Sequence, residues 1–205
     1  MTAEDGRKGT SRVDGQRLMI NLPVHFRGKP APGSLRRFFY RAEPARDWEP
    51  RLDDLWKRAK HSYPVAVARD ADHALRHFAG HPTVRHHRFV VLPRFSDKAV
   101  AFAVFADEGS ECCWLDLVRD HDHPGALELL THISGRLAAQ WRSRGERLCL
   151  AGDEAASELL KNRGFRIQEE LGHVVETSAF TGQLDGENTV GRVYLTAADL
   201  GETDR

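Results

Sequence analysis

Short apolar runs in the middle of the chain have the length and composition of β-strands. They are His87 to Leu92, Ala99 to Ala106 and Glu111 to Val118, and the turn-forming sequences PRFSDK and DEGS separate them. Runs of this length between turn residues predict a three-stranded meander. Because Ala99 to Ala106 is almost wholly apolar, we expect it to be a central strand that is covered on both faces.

Other segments repeat their apolar residues at the spacing of an α-helix. Glu49 to Lys60 and Asp70 to Ala79 each have one apolar face, which predicts two short helices. A longer helix is expected from Pro124 to Ser143, since a Pro-Gly pair opens it and a glycine follows its end. Asp153 is a suitable N-cap for a fourth helix from Glu154 to Asn162.

The remaining segments complete the predicted elements. Residues 1–16 are rich in Gly, Asp, Lys and Ser and predict a disordered tail. Arg17 to Phe26 is strand-like, but Pro23 restricts it to a sheet edge or an extended arm. Leu35 to Tyr40 predicts a further strand. Three more strands are expected at Leu148 to Ala151, Phe165 to Thr177 and Thr189 to Leu195.

The predicted order of elements is β-β-α-α-β-β-β-α-β-α-β-β. It forms one domain over residues 17–197, followed by a tail at 198–205, and a chain of 205 residues is long enough to bury one solid core. Helices that alternate with strands between Cys112 and Phe165 indicate parallel neighbours in an α/β layer. The fold class is therefore α/β (α+β).

Composition excludes several classes of protein. The chain has 30 basic and 30 acidic side chains, so no global charge bias points to nucleic acid or to an anionic membrane. We interpret Arg36-Arg37 as part of a solvated face, because no aromatic interleaving or basic helix accompanies it. Three cysteines without CxxC spacing argue against a disulfide framework and a zinc knuckle. With no signal-peptide core and no apolar run that spans a bilayer, a cytoplasmic location is expected.

The segment from Asp153 to Phe165 carries a specific resemblance to a known family. Its small residues and its closing pair stand where the GCN5-related N-acetyltransferases have them, at Ala155, Ala156, Gly164 and Phe165. The order of elements resembles that family as well, over roughly Leu35 to Leu195. Two positions depart from the family pattern. Asp153 stands where Asn is usual, and Leu160 stands where a Tyr often donates a proton to the departing thiolate.

The resemblance implies a mixed, mostly antiparallel central sheet flanked by helices. It also implies an acyl-CoA-dependent N-acyltransferase that uses acetyl-CoA or another acyl-CoA as co-substrate. The acyl group would pass directly to an amine of a small molecule or a carbohydrate precursor. The loop RDHDHPGA at residues 119–126 stands where the family binds the coenzyme A pyrophosphate, at backbone amides near a helix N-terminus. Gly125-Ala126 lies at the right place, although the six-residue family pattern does not fit.

The same resemblance assigns the candidate site residues. The backbone amide of Leu117 or Val118 would polarise the thioester carbonyl. The other expected cofactor-binding residues are Arg119, His121, His123, Gly125, Ala126 and Asp153. Amine acylation also needs a group that keeps the amine neutral, and the candidate bases are Asp116, Glu111 and His121.

Other interpretations stay open at this point. His121-Asp122-His123 suits a divalent metal, but no third ligand stands at a fixed spacing, so no metal site is predicted. The altered phosphate loop and Leu160 favour a catalytically inactive module of the same fold, which binds a ligand or a partner. A histidine-rich metal-dependent enzyme is a third possibility.

The surroundings of the site are predicted more coarsely. The acceptor is expected in a pocket formed by residues 48–82 and the last hairpin. The C-terminal strands form an edge through which a homodimer can assemble. Five histidines in the middle of the chain are expected on the surface or in loops, namely His73, His77, His81, His86 and His87.

Overall fold

The computed structural model describes residues 17–28, 35–63, 65–79, 85–176 and 193–200. Its strands, in chain order, are β1 (Arg17–Gly28), β2 (Tyr40–Pro44), β3 (Val65–Ala66), β4 (His87–Pro93), β5 (Ala101–Asp107), β6 (Glu111–Arg119), β7 (Gly145–Ala151), β8 (Arg166–Glu176) and β9 (Val193–Thr196). Its α-helices are α1 (Arg51–Ala59), α2 (Ala71–Phe78), α3 (Pro124–Trp141) and α4 (Glu154–Asn162). The predicted order is confirmed, with the short β3 added between α1 and α2.

One mixed sheet has the strand order β2-β4-β5-β6-β7-β1-β8. Neighbouring strands are antiparallel except β6 and β7, which are parallel. The last strand, β9, pairs antiparallel with β7 and parallel with β3. The predicted mixed, mostly antiparallel sheet is therefore confirmed.

The core is built around β5. Its residues from Ala101 to Ala106 are all buried, as are Ala99 and Val100 before it. This confirms the prediction of a central strand, and α3 packs against both β5 and β6. The three cysteines are buried in the core, as expected. Across the described ranges, no helix has both the length and the apolarity needed to cross a bilayer.

The prediction that β1 is an edge strand or an arm is wrong. β1 lies inside the sheet, where it pairs with β7 on one side and β8 on the other. The proline that suggested an edge position is accommodated by an irregularity, because the register against β8 shifts between Pro23 and His25. A bulge of this kind lets a strand interior tolerate a residue that has no backbone donor.

The predicted strand from Leu35 to Tyr40 is also wrong over most of its length. Leu35–Phe39 forms a 3₁₀ turn, and β2 begins only at Tyr40, which pairs with Pro93. The apolar residues of this segment do not face the core. Composition alone suggested a strand, but no partner strand lies beside residues 35–39 in the described part of the chain.

The C-terminal boundaries shift by a few residues. The predicted strand at 189–195 is confirmed only as β9, and residues 189–192 lie outside the described ranges. Residues 198–200, which the sequence placed in a tail, belong to a 3₁₀ turn (Ala197–Leu200). Ala198 is buried and Asp199 binds Arg69, so this turn is part of the packed structure.

Candidate functional site

The parallel strands β6 and β7 are paired over only part of their length. Within the described residues, their register ends at Trp114↔Leu148. Beyond that point β6 stays paired with β5 as far as Arg119, whereas β7 pairs with β9. The carboxyl-terminal half of β6 therefore borders a gap in the sheet that side chains from other elements enter.

A network of buried polar side chains occupies this gap. Asp116 on β6 is fully buried, and its Oδ1 accepts hydrogen bonds from Arg69 Nε at 2.8 Å and from Thr196 Oγ1 at 2.9 Å. The guanidinium of Arg69 also binds the Asp199 carboxylate. His73 Nε2 lies 3.3 Å from Asp116 Oδ2. The network joins β6 to the loop before α2 and to the C-terminal turn.

The charges of this network fix the ionisation of Asp116. Burial raises the pKa of this carboxyl, but the Arg69 guanidinium and His73 outweigh that effect and hold its pKa well below the ordinary value. A carboxylate that is enclosed and paired with an arginine is a weak proton acceptor. His73 was predicted on the surface, and that prediction is wrong, since α2 turns it inward to a buried position against Asp116.

Tyr194 on β9 fills the rest of the gap. Its ring is fully buried, lies under the Arg69 guanidinium at 4.7 Å, and its hydroxyl donates to the carbonyl of Leu117. The crevice that remains between β6, β7 and Ala197 has no room for a water molecule, so it does not hold a cofactor.

A second ion pair closes the carboxyl end of β6. Arg119 is buried and makes two hydrogen bonds to Asp153, at 2.8 and 2.7 Å. Asp153 also accepts from the backbone of Ala156 at 2.9 Å, which confirms the predicted N-cap of α4. One carboxylate therefore caps a helix and neutralises a buried guanidinium.

His121 lies beside this pair with its ring half-exposed. Its Nε2 is buried and 3.5 Å from Asp153 Oδ2, and its ring contacts Tyr63 edge-on, with centroids 5.1 Å apart. Burial lowers the pKa of His121, and Arg119 lowers it further, against the opposing charges of Asp153, Asp120 and Asp122. The imidazole is therefore neutral at neutral pH, as a proton acceptor must be.

The start of α3 is covered by another segment of the chain. A Cβ on Gly125 would lie 2.6 Å from Tyr40 Cε2 and 3.1 Å from the carbonyl oxygen of Arg36. The Tyr40 hydroxyl lies 3.3 Å from His123 Nδ1. Gly125 is thus required for close packing of the 3₁₀ turn and β2 against α3. His123 is the N-cap residue of α3 and makes no side-chain capping hydrogen bond.

The chain is similar to known proteins in structure and not in sequence. No family model matches the sequence, and no curated protein matches it. A crystal structure of a GCN5-related N-acetyltransferase from Anabaena variabilis is similar, with a TM-score of 0.57 and 12% identity. A probable N-acyltransferase of unknown function from Enterococcus faecalis is also similar, with a TM-score of 0.54 and 7% identity.

The chain has the fold of the GCN5-related N-acetyltransferases. The matches cover 73% and 79% of this chain but only 38% and 39% of the two neighbours. The chain therefore spans well under two thirds of the length of either protein. At this low sequence identity, the structural similarity supports the fold only, so the chemistry has to be argued from the site itself.

In the GCN5-related fold, the residues assigned to the cofactor lie around the end of β6. Asp153 contacts both Arg119 and His121 there, and the half-buried His123 follows in the turn before α3. Four other assigned residues are buried, namely Leu117, Val118, Gly125 and Ala126. Among the assigned side chains, the two histidines are therefore the ones that reach the surface.

Glu111 is separated from the rest of the predicted site. It lies at the opposite end of β6, where its carboxylate is paired with Arg27 at 2.6 Å and lies 3.8 Å from Arg147. This end of the strand is where β6 and β7 are closely paired. The structure thus brings Asp116 and His121 to the gap but leaves Glu111 outside it.

Sequence reasoning missed several of the residues that form the gap. Arg69, Thr196, Tyr194 and Asp199 lie far from β6 in sequence and carry no spacing that signals a shared site. The only signal was Asp116 itself, a charged residue in an apolar strand that needs a buried partner. Among the described residues, no group of three or more His, Cys, Asp or Glu side chains is arranged to hold a metal ion.

A larger cleft lies beside the site, on α1. It measures about 400 Å³ and is lined by Arg51, Asp54, Lys57, Arg58, Asp97, Lys98 and Ala99. Arg58 connects it to the loop before α3, because its Nε donates to Asp120 Oδ2 at 3.2 Å. The cleft thus lies on the segment that was expected to bind the acceptor.

Proposed function

We propose that this chain is an acyl-CoA-dependent N-acyltransferase, with acetyl-CoA as the first candidate donor. The acyl group passes directly to an amine of a small molecule or a carbohydrate precursor. The observation that carries the proposal is the early end of β6–β7 pairing in a chain of this fold, next to the uncapped N-terminus of α3. A helix N-terminus without a side-chain cap favours the negative charge of a pyrophosphate.

The proposed mechanism assigns the proton transfer to His121. The neutral amine attacks the thioester carbonyl carbon, so that a C–N bond forms and the C–S bond breaks. His121 accepts the proton of the amine, with Asp153 next to its Nε2. Leu160 is fully buried and has no proton to give, so water protonates the thiolate.

Backbone groups of β6 complete the proposed catalytic machinery. The amide of Leu117 is the proposed donor to the thioester carbonyl, and it would exchange its present acceptor, Asp116 Oδ1 at 2.9 Å, for that oxygen. Val118 is not available for this role, because its amide, like that of Asp120 two residues on, faces β5. Asp116 then acts as a positioning residue, because its contacts to Arg69 and Thr196 fix the strand beside the gap. The cleft on α1 is the proposed acceptor pocket. The β8 edge is the proposed contact of a homodimer.

The proposal is tested first by thermal unfolding of the purified chain with acetyl-CoA, free coenzyme A and a longer acyl-CoA. A ligand at about a hundred times its dissociation constant stabilises the folded state by roughly 2.7 kcal/mol, which raises the midpoint measurably. His123→Asp should abolish the shift, because its carboxylate caps the N-terminus of α3 and repels the pyrophosphate. His123→Gln is the matched control, since it adds no charge and no preferred capping side chain, and it should keep the shift.

A second readout concerns turnover. His121→Gln should retain the thermal shift and lose about a hundredfold or more in coenzyme A release with an amine acceptor. In the unmodified chain, the rate should decrease as the pH is lowered, because His121 becomes protonated and the charged ring accepts no proton. If no acyl-CoA shifts the midpoint of the folded protein, the acyltransferase proposal is refuted and the inactive binding module takes its place.

A further inference from the structure

Four large apolar side chains are exposed at one corner of the molecule. Leu35, Phe38 and Phe39 in the 3₁₀ turn are 78%, 54% and 71% exposed, and Phe95 in the turn after β4 is 98% exposed. Single exposed apolar residues are common on protein surfaces, but four large ones in two neighbouring segments are not. We refer to these four residues as the apolar corner.

Hydrogen bonds hold the two segments together. The backbone amide of Arg94 donates to the carbonyl of Phe39 at 2.8 Å, and its Nε donates to the carbonyl of Phe38 at 3.1 Å. Tyr40 and Pro93 are paired directly beside them, as the last pair of the β2–β4 ladder. The apolar corner is therefore one surface with a fixed backbone.

Arginines surround the apolar corner. Arg36 and Arg37 stand within the turn, and Arg94 links it to Phe95. The Arg37 guanidinium lies 5.0 Å from the Phe38 ring centre and 3.4 Å, through Nη1, from His132 Nδ1. Burial lowers the pKa of His132, and the nearby guanidinium groups of Arg37 and Arg136 lower it further.

Arg37 and Arg94 carry charges without a carboxylate partner among the described residues. In the ranges that the structure describes, no ion pair joins Arg37 or Arg94 to a carboxylate, whereas Asp97 on the same turn is paired with Arg41 at 2.7 Å. The chain as a whole has no net charge, so the excess of positive charge is local. Arg36-Arg37 was predicted to be part of a solvated face, and the fold brings this pair next to Arg94 and Phe95, which are distant in the sequence.

We infer that the apolar corner docks on the surface of a lipid bilayer that carries anionic headgroups. Exposed Leu and Phe side chains enter the boundary between headgroups and acyl chains, and arginines beside them contact the lipid phosphates. Basic residues next to a membrane attract anionic lipids at short range, within a Debye length. The contact is peripheral and reversible, and it does not depend on the proposed acyltransferase activity.

Co-sedimentation of the full chain with lipid vesicles tests this inference. The chain should bind vesicles that contain both phosphatidylcholine and phosphatidylglycerol, and it should not bind vesicles of pure phosphatidylcholine. The double variant Leu35→Ser/Phe95→Ser should lower the affinity by about tenfold or more, because two inserted apolar side chains are lost. Arg37→Gln should lower it by about fivefold, and added salt should reduce the difference between Arg37→Gln and the unmodified chain.

Trp48→Ser is the matched control. Trp48 is 51% exposed and lies beyond the other end of β2, so its loss should leave vesicle binding unchanged. All variants should keep the thermal midpoint, since the substituted side chains are outside the core. Equal binding to both kinds of vesicle, or unchanged binding of the double variant, overturns the inference. The inference is also overturned if the unmodified chain does not bind vesicles and forms a dimer that the double variant does not form. The apolar corner would then be a contact between copies of the chain.

Discussion

Asp153 performs two tasks that usually fall to different residues. It caps α4 through the Ala156 amide, and it is the counter-charge of the buried Arg119. The family resemblance places Asn at this position, which caps a helix equally well but carries no charge. The aspartate is therefore explained by its partner, since a buried guanidinium without a carboxylate is strongly destabilising.

Replacement of Asp153 by Asn separates the two tasks. Asp153→Asn should lower the free energy of unfolding by about 3 kcal/mol, because the cap is kept while Arg119 loses its counter-charge. Asp153→Ala should cost about 1 kcal/mol more, through loss of the cap. Chemical denaturation measures both values. The double variant Arg119→Met/Asp153→Asn is the control, and it should recover much of the loss. An Asn variant as stable as the unmodified chain contradicts this account.

At the scale of elements, the unusual feature is the place of β1. The first strand of the chain lies between β7 and β8, so it supplies hydrogen bonds to two strands from the other end of the sequence. Its last residue is packed closely as well, since a Cβ on Gly28 would lie 2.7 Å from the Gly164 carbonyl oxygen. Without β1, the facing edges of β7 and β8 have no partner between them.

Two truncations test the role of β1. Deletion of residues 1–28 should abolish cooperative unfolding and cause aggregation, because unpaired strand edges are exposed. Deletion of residues 1–16 ends before β1 and should leave the unfolding midpoint within a few degrees of the full chain. Circular dichroism on heating, together with sedimentation, distinguishes the two. A soluble, cooperatively unfolding chain without residues 1–28 shows that the strand is dispensable.

Local patterns predicted most of the elements and few of their long-range contacts. The meander, the four α-helices and the Asp153 cap follow from periodicity and end signals, which are local in sequence. The position of β1 and the buried state of His73 depend on partners far along the chain, so no local pattern marks them. For the site, the loop before α3 was found because its residues are consecutive. Arg69 and Tyr194 were missed because only the folded chain brings them to Asp116.

At the scale of the whole molecule, one buried acid couples stability to pH. Glu146 on β7 is buried, and its Oε2 accepts from Trp114 Nε1 at 3.2 Å. Burial raises the pKa of Glu146 from 4.5 to about 7, although hydrogen bonds from Ser134 and Trp114 oppose the shift. Between these values the folded chain keeps a proton that the unfolded chain has released. Stability therefore falls as the pH rises through this window.

The free energy of unfolding should fall by about 3 kcal/mol as the pH rises from about 4.5 to about 7, and the full loss should remain at higher pH. Glu146→Gln removes the titrating group and keeps the shape of the side chain. The difference in unfolding free energy between this variant and the unmodified chain should therefore grow with pH across the window. Denaturation at several pH values measures it. Glu158→Gln, on the exposed part of α4, is the control, and its difference in unfolding free energy from the unmodified chain should not depend on pH. If the difference for Glu146→Gln does not depend on pH either, the role assigned to Glu146 is refuted.

The place of β1 has a further consequence for how the chain reaches its fold during synthesis. A ribosome releases β1 well before its two sheet neighbours, β7 and β8, which follow β6 and α3 in the sequence. β1 must therefore remain unpaired until these later strands have been synthesised. Pairing between such distant segments is slow, because the intervening chain has to be ordered before the contact forms. The strand order of the sheet is therefore completed only when β8 has emerged and pairs with β1.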